Sequence, residues 1–230
     1  MGAQNSSMAG ERNSVTNAIL SRRSTRAFLP LPVERSVVAE ILELAARAAS
    51  GGNLQPWHVD VLGGPPLADL KAEALASTRA EMELVVYPSP LPEPYRTRRH
   101  RSGEALYEAI GIPRDDRAAR LAQFARNFDA FGAPVLLLFS VGRIFDRPQW
   151  AHLGMFIQNL MLLAEERGLA TCAQEAWAAV HDVVARHIEL PPERIFYCGM
   201  ALGHADPDAP INGLRTERVD VEEFARFRGF

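Results

Sequence analysis

Lysine is almost missing from this chain. Of its 25 basic residues only Lys71 is a lysine, and the other 24 are arginine. Cationic charge therefore sits on planar guanidinium forks, which grip carboxylates and phosphates bidentately. Cysteine is nearly as scarce. Cys172 and Cys198 cannot build a disulfide framework, and their spacing is no zinc ligand set. They read as reduced thiols, as expected in the cytoplasm. No run of about 20 apolar residues exists, so no membrane-spanning helix is expected. The small, polar N-terminus lacks the apolar stretch of a secretory signal. GxGxxG, Walker, HExxH and GxSxG signatures are all absent. The histidines, at 58, 100, 152, 181, 187 and 204, never pair at helical i,i+4 spacing, so no metal site is expected. Net charge is 25 − 28 = −3 with a pI near 6.1, which offers no general attraction to nucleic acid or to an anionic membrane.

The 230 residues are 47% apolar and 23% charged, ordinary globular usage for one domain. Residues 1–12 read as a disordered tail and 13–230 as the domain. Helices are expected over 15–21, 33–49, 67–83, 104–110, 115–128, 150–167, 180–188 and 221–227, from apolar spacing and from Pro and Gly punctuation. Strands are expected over 57–62, 134–141 and 194–202. The run PVLLLFSV is apolar throughout and so buried on both faces. The helix over 150–167 is apolar nearly all round, which places it in a core or a subunit interface. Prolines 88, 90, 92 and 94 forbid a helix, and the span 87–101 reads as an excursion loop.

Three polar segments carry the candidate chemistry. Arg22, Arg23 and Arg26 surround Ser24 and Thr25. They suit a phosphate, or they form a solvated helix end. Ser50-Gly51-Gly52-Asn53-Leu54-Gln55 suits the edge of a flat heterocycle, since glycine admits close approach and the amides donate and accept. Equally, it is a helix-to-strand turn. Asn212 and Arg215 lie in a late loop. The basic run from 96 to 101 suits a lid edge or the 2′-phosphate of NADPH; nucleic acid is disfavoured by the net charge and the lack of interleaved aromatics.

Taken together, RRSTRAF, SGGNLQPW and the late NGLR loop resemble the nitroreductase family of FMN-dependent oxidoreductases. The stretch GLATCAQEAW and the ending VEEFARFRGF are similar to family segments as well. The resemblance implies an α+β sandwich, a central and mainly antiparallel sheet flanked by helices, built as an obligate homodimer. It implies FMN at the subunit interface. Arg22, Arg23, Ser24 and Arg26 would match phosphate and ring-edge contacts. Ser50 would bind the cofactor as well, and Asn53 and Gln55 would come from the partner chain. Gln174 and Glu175 would lie beside the isoalloxazine, and Asn212 and Arg215 would anchor the phosphate. Ala173 and Ala176 depart from the proline and glycine of many members. Phe131 is the candidate substrate contact. With no second dinucleotide motif, NADPH or NADH and a nitroaromatic or quinone oxidant would use one cleft in turn, by a ping-pong cycle. The alternatives are other chemistry on the same fold (dehalogenation, flavin or ene reduction) and a non-catalytic flavin-binding protein.

Overall fold

A computed structural model describes residues 15–77 and 87–230. The expected tail, and the end of the helix expected over 67–83, lie outside the described residues. The sheet comprises β1 (Trp57–Gly63), β2 (Val135–Gly142), β3 (Ala170–Gln174) and β4 (Arg194–Gly203), in the order β1-β2-β4-β3 with every pair antiparallel. β2 is the inner strand that its apolar run predicts. Leu136, Leu137, Leu138 and Phe139 are fully buried, the first and third facing one core and the second and fourth the other.

Helices cover both faces. On one side α2 (Arg35–Ala45) and α6 (Arg147–Glu166) pack with Val38, Ile41, Leu153, Phe156 and Leu160 over β2 and β4. On the other lie α3 (Gly64–Ser77) and α7 (His181–His187), with Leu67, Leu70, Phe128 and Trp177 in the core. Trp177 lies flat against β4 because residue 199 is glycine: a Cβ there would meet its ring at 2.5 Å. The remaining helices are α1 (Val15–Ser21), α4 (Tyr95–Ala109), α5 (Arg117–Ala125) and the single turn α8 (Val221–Phe224).

The differences from expectation have local causes. Residues 96–101 are helical, not loop, since they open α4. The prolines stop at Pro94, which caps the helix, and Glu93 accepts from Thr97 N (3.2 Å) and Arg96 Nε (2.7 Å). A proline is tolerated at a helix start because the first N–H groups lack intrahelical partners in any case. The span 115–128 divides into α5, capped by Asp116 Oδ1 accepting from Ala119 N (2.9 Å), and a 3-10 turn over Arg126–Gly132. The closing helix is four residues long instead of seven. β3, built largely of small residues, shows no alternation and is missing from the sequence reading. α6 buries one face only: Met155 is 42% exposed, and Met161, Leu162 and Leu163 are half-buried.

Candidate functional site

β3 is an edge strand, and the segment after α1 docks on its free side. Thr25 N donates to Thr171 O (3.0 Å) and Ser24 bridges Thr171 in parallel. The next step of the same segment is held from the far end of the chain. Asn212 Oδ1 accepts from Arg26 N (2.8 Å), while Asn212 Nδ2 donates to Ala27 O (2.8 Å) and Asp206 O (2.9 Å). A side chain 3% exposed thus locks residues 26 and 27 to the late loop. That loop brings Arg215, whose Nη1 donates to Ser21 O (2.9 Å).

The product is a cavity of about 360 Å³ lined by the guanidinium side chains of Arg22, Arg23, Arg26, Arg215 and Arg218 together with Ser24. No carboxylate lines it, and among the described residues none of these five arginines pairs with one. Arg218 instead donates to Thr216 Oγ1 and O and to Glu217 O. Five uncompensated guanidiniums, with hydroxyl donors beside them, fit a phosphate dianion. Arg218 escaped the sequence reading, although a second arginine three residues beyond Arg215 was a usable signal.

Cys172 lies beneath this segment. Arg22 and Arg26 act on its thiol, yet burial outweighs them and pushes it up to about 11; burial likewise pushes Cys198 up to about 12. Both are inert hydrophobes here, not thiolates.

Just past the end of β3, where a short 3-10 turn (Glu175–Val180) begins, stands Glu175, exposed. Tyr87 reaches it from the other side. Burial, the Glu175 charge and a hydrogen bond to that carboxylate all hold the Tyr87 phenol above its ordinary value. Beside Tyr87 lies a cavity of about 410 Å³, with Pro88, Pro90, Leu91, Arg96 and Arg99 in its wall.

Two of the expected site residues have side chains buried within this chain. Gln174 is 3% exposed, and its amide is committed: Nε2 donates to Asn127 O (2.8 Å) and Oε1 accepts from Trp177 Nε1 (3.3 Å). Its side chain anchors Trp177. Phe131 is 2% exposed in the core. Its backbone, with that of Ala130, takes a left-handed conformation (φ 54° and 50°), which accompanies an inward ring and a Phe28 N to Phe131 O bond of 3.2 Å.

Ser50, Asn53 and Gln55 stand apart from the arginines. Their turn is built by Gly52, Asn53 and Gln55 at φ of 61°, 55° and 48°, with Gln55 N donating to Ser50 Oγ (3.1 Å). It is tied to the beginning of α6, where Gly51 N donates to His152 Nε2 (3.2 Å). The arginine segment lies at the other end of that helix, where Arg23 and Glu165 share a recess. Thirteen helical residues separate His152 from Glu165, about 20 Å.

Comparison with known proteins places the chain in a family. The model of the nitroreductase family matches residues 19–204, and the chain belongs to that family. A 4-nitrobenzoate reductase of Pseudomonas putida is 37% identical over 92% of this chain and 94% of its own length. A nitrobenzene nitroreductase of Ectopseudomonas oleovorans is 36% identical over 93% and 96%. Among solved structures, the FMN and NADPH-dependent nitroreductase NfnB of Sphigopyxis sp. strain HMH superposes with a TM-score of 0.90 at 43% identity, over 94% of this chain and all of that one.

Proposed function

We propose that this protein is an FMN-dependent oxidoreductase that uses NADPH or NADH to reduce nitroaromatic compounds. The observation that carries this reading is the cavity of five arginines without a carboxylate, built on the segment that docks on the edge of β3. The residues fit FMN. Arg22, Arg23, Arg26, Arg215 and Arg218 would hold the phosphate, Ser24 would add a hydroxyl, and the β3 edge toward Glu175 would flank the ring. When bound, the flavin supplies hydride chemistry, taking two electrons from the nicotinamide and passing them to a nitro group, which with two protons yields a nitroso product and water.

The chain's own work is positional. Asn212 holds the phosphate segment rigid, so the guanidiniums need little reordering when an anion arrives. Trp177, wedged on Gly199 and bonded to Gln174, keeps the end of β3 in place. No residue here is needed as a nucleophile, and the buried thiols take no part.

The reading includes a homodimer. Ser50, Asn53 and Gln55 lie too far from the arginines of their own chain to share a ligand with them, and a second copy supplies them across an interface. The half-covered apolar flank of α6 supports such an interface; obligate contacts run ~2,000–5,000 Å² and are core-like. Unpaired thiols fit a reducing compartment such as the cytoplasm. In one shared cleft the two substrates alternate, so double-reciprocal plots should be parallel; intersecting plots overturn the single cleft.

The test is direct. The protein should purify yellow, or take up one FMN per chain, and NADPH should bleach it without oxygen. A protein that stays colourless in excess FMN overturns the reading. Sedimentation should show a dimer; a flavin-loaded monomer at micromolar concentration overturns that part.

A further inference from the structure

We propose that the cavity beside Tyr87 is a subsite for the carboxylate of an aromatic oxidant, with Arg99 as the residue that recognises it. This rests on the nitroreductase reading above and names the substrate class. The basic run at 96–101 supplies four guanidiniums, and two of them are held by carboxylates. Arg96 is held by Glu93 at 2.7 Å, and Arg98 by Glu223 at 2.9 Å. Arg99 makes no ion pair among the described residues. Its guanidinium lies over the Tyr87 ring, 4.7 Å from the centroid. Stacking in this way occupies the face of the guanidinium and leaves its in-plane N–H groups free for a carboxylate.

The rest of the wall suits an arene. Pro88, Pro90 and Leu91 are apolar, and Tyr87 is aromatic. Tyr87 also relates this cavity to the proposed flavin edge, since its phenol feels the charge of Glu175, just past the end of β3. One free guanidinium matches a monoanion. A phosphate dianion calls for several unpaired cations, as in the cavity around Arg26, so the 2′-phosphate of NADPH fits this site less well. Among relatives, one reduces 4-nitrobenzoate and another nitrobenzene, so the presence or absence of a carboxylate is a distinction that this family draws.

The experiment compares wild type with Arg99→Ala, Arg99→Lys and Arg99→Glu, each as FMN-loaded protein. For Arg99→Ala the ratio of kcat/KM for 4-nitrobenzoate to that for nitrobenzene should fall roughly tenfold, the scale of one charge-assisted hydrogen bond. Lysine should restore part of the ratio, and glutamate should invert it in favour of 4-nitrobenzylamine. Titration of the non-reducible 4-methylbenzoate, followed by calorimetry, should show binding that weakens to the same degree. An unchanged ratio overturns the subsite. A rise in KM for NADPH but not for NADH, with the nitroarene ratio intact, assigns Arg99 to the 2′-phosphate and overturns it too. If the wild type binds 4-methylbenzoate through Arg99 but NADPH reduces no flavin, the subsite stands and the oxidoreductase reading falls.

Discussion

Two segments of this chain are equally rich in arginine and end in opposite circumstances. One places three arginines within residues 22–26, the other four within 96–101. The second folds into α4, where its guanidiniums meet Glu93, Glu223 and Tyr87. The first lies on irregular backbone along the edge of β3 and meets no carboxylate among the described residues. Density of charge in a sequence is thus a poor guide to a binding site. What matters is whether the fold brings carboxylates to neutralise it. Exposed pairs of the α4 kind contribute little to stability, about 0–1 kcal/mol, whereas unpaired cations converging on one cavity retain their attraction for an anion.

The contrast can be broken most forcefully at Asn212. Asn212→Ala removes three hydrogen bonds and leaves the half-buried Arg26 N–H and Asp206 O without their side-chain partner, while Ala27 O keeps Asp206 N as donor. At about 1–3 kcal/mol for an unsatisfied buried group, the loss should reach ~3 kcal/mol. That corresponds to roughly 6–12 °C in melting temperature for a chain of this size, and calorimetry checks it. Flavin should be lost as well, because the arginine segment is freed. A variant that melts normally and stays yellow would mean that the segment holds its shape without the latch.

Arg26→Ala and Arg215→Ala test the cavity without disturbing its frame. Each should weaken FMN by about 1.5–3 kcal/mol, or 10- to 150-fold, measured by fluorescence titration. Losses below twofold in both variants would move the phosphate elsewhere.

Alkaline pH separates burial from charge beneath the first segment. Burial raises the Cys172 thiol to about 11 although Arg22 and Arg26 act on it. A raised folded value means that the unfolded chain releases the proton first. Stability is therefore full below about 9, the thiol's ordinary value, and declines as pH rises toward 11, at ~1.4 kcal/mol per unit at most. Urea midpoints at pH 8 and 10 should show the decline, and Cys172→Ser should flatten it. A thiol that reacts readily with an alkylating agent at pH 8 would contradict the burial.

The smallest effect is expected on α4. Arg98→Ala breaks an exposed pair with Glu223 and should cost under about 1 kcal/mol, with FMN affinity unchanged in the same titration. An effect as large as that of Arg26→Ala would erase the distinction between the two segments.

Periodicity and punctuation determined most of the architecture. β2 is buried on both faces because its apolar run has no polar side to turn outward, and α1 stops where the arginines begin. The kinds of residue at the site were legible too, since guanidinium and amide chemistry belongs to the residue itself. Partnership was not legible. The side chain of Gln174 braces Trp177 and the ring of Phe131 packs in the core, contacts that neither residue's type announces. Arg218 was not singled out in the late loop, and it lines the cavity. β3 was missed because small residues carry no alternation, and an edge strand is defined by the neighbour that it pairs with. Each of these depends on contacts between residues far apart in the chain, such as Asn212 with Arg26. A chain's local preferences determine which elements form, but only their packing decides which charges are neutralised and which polar groups remain free.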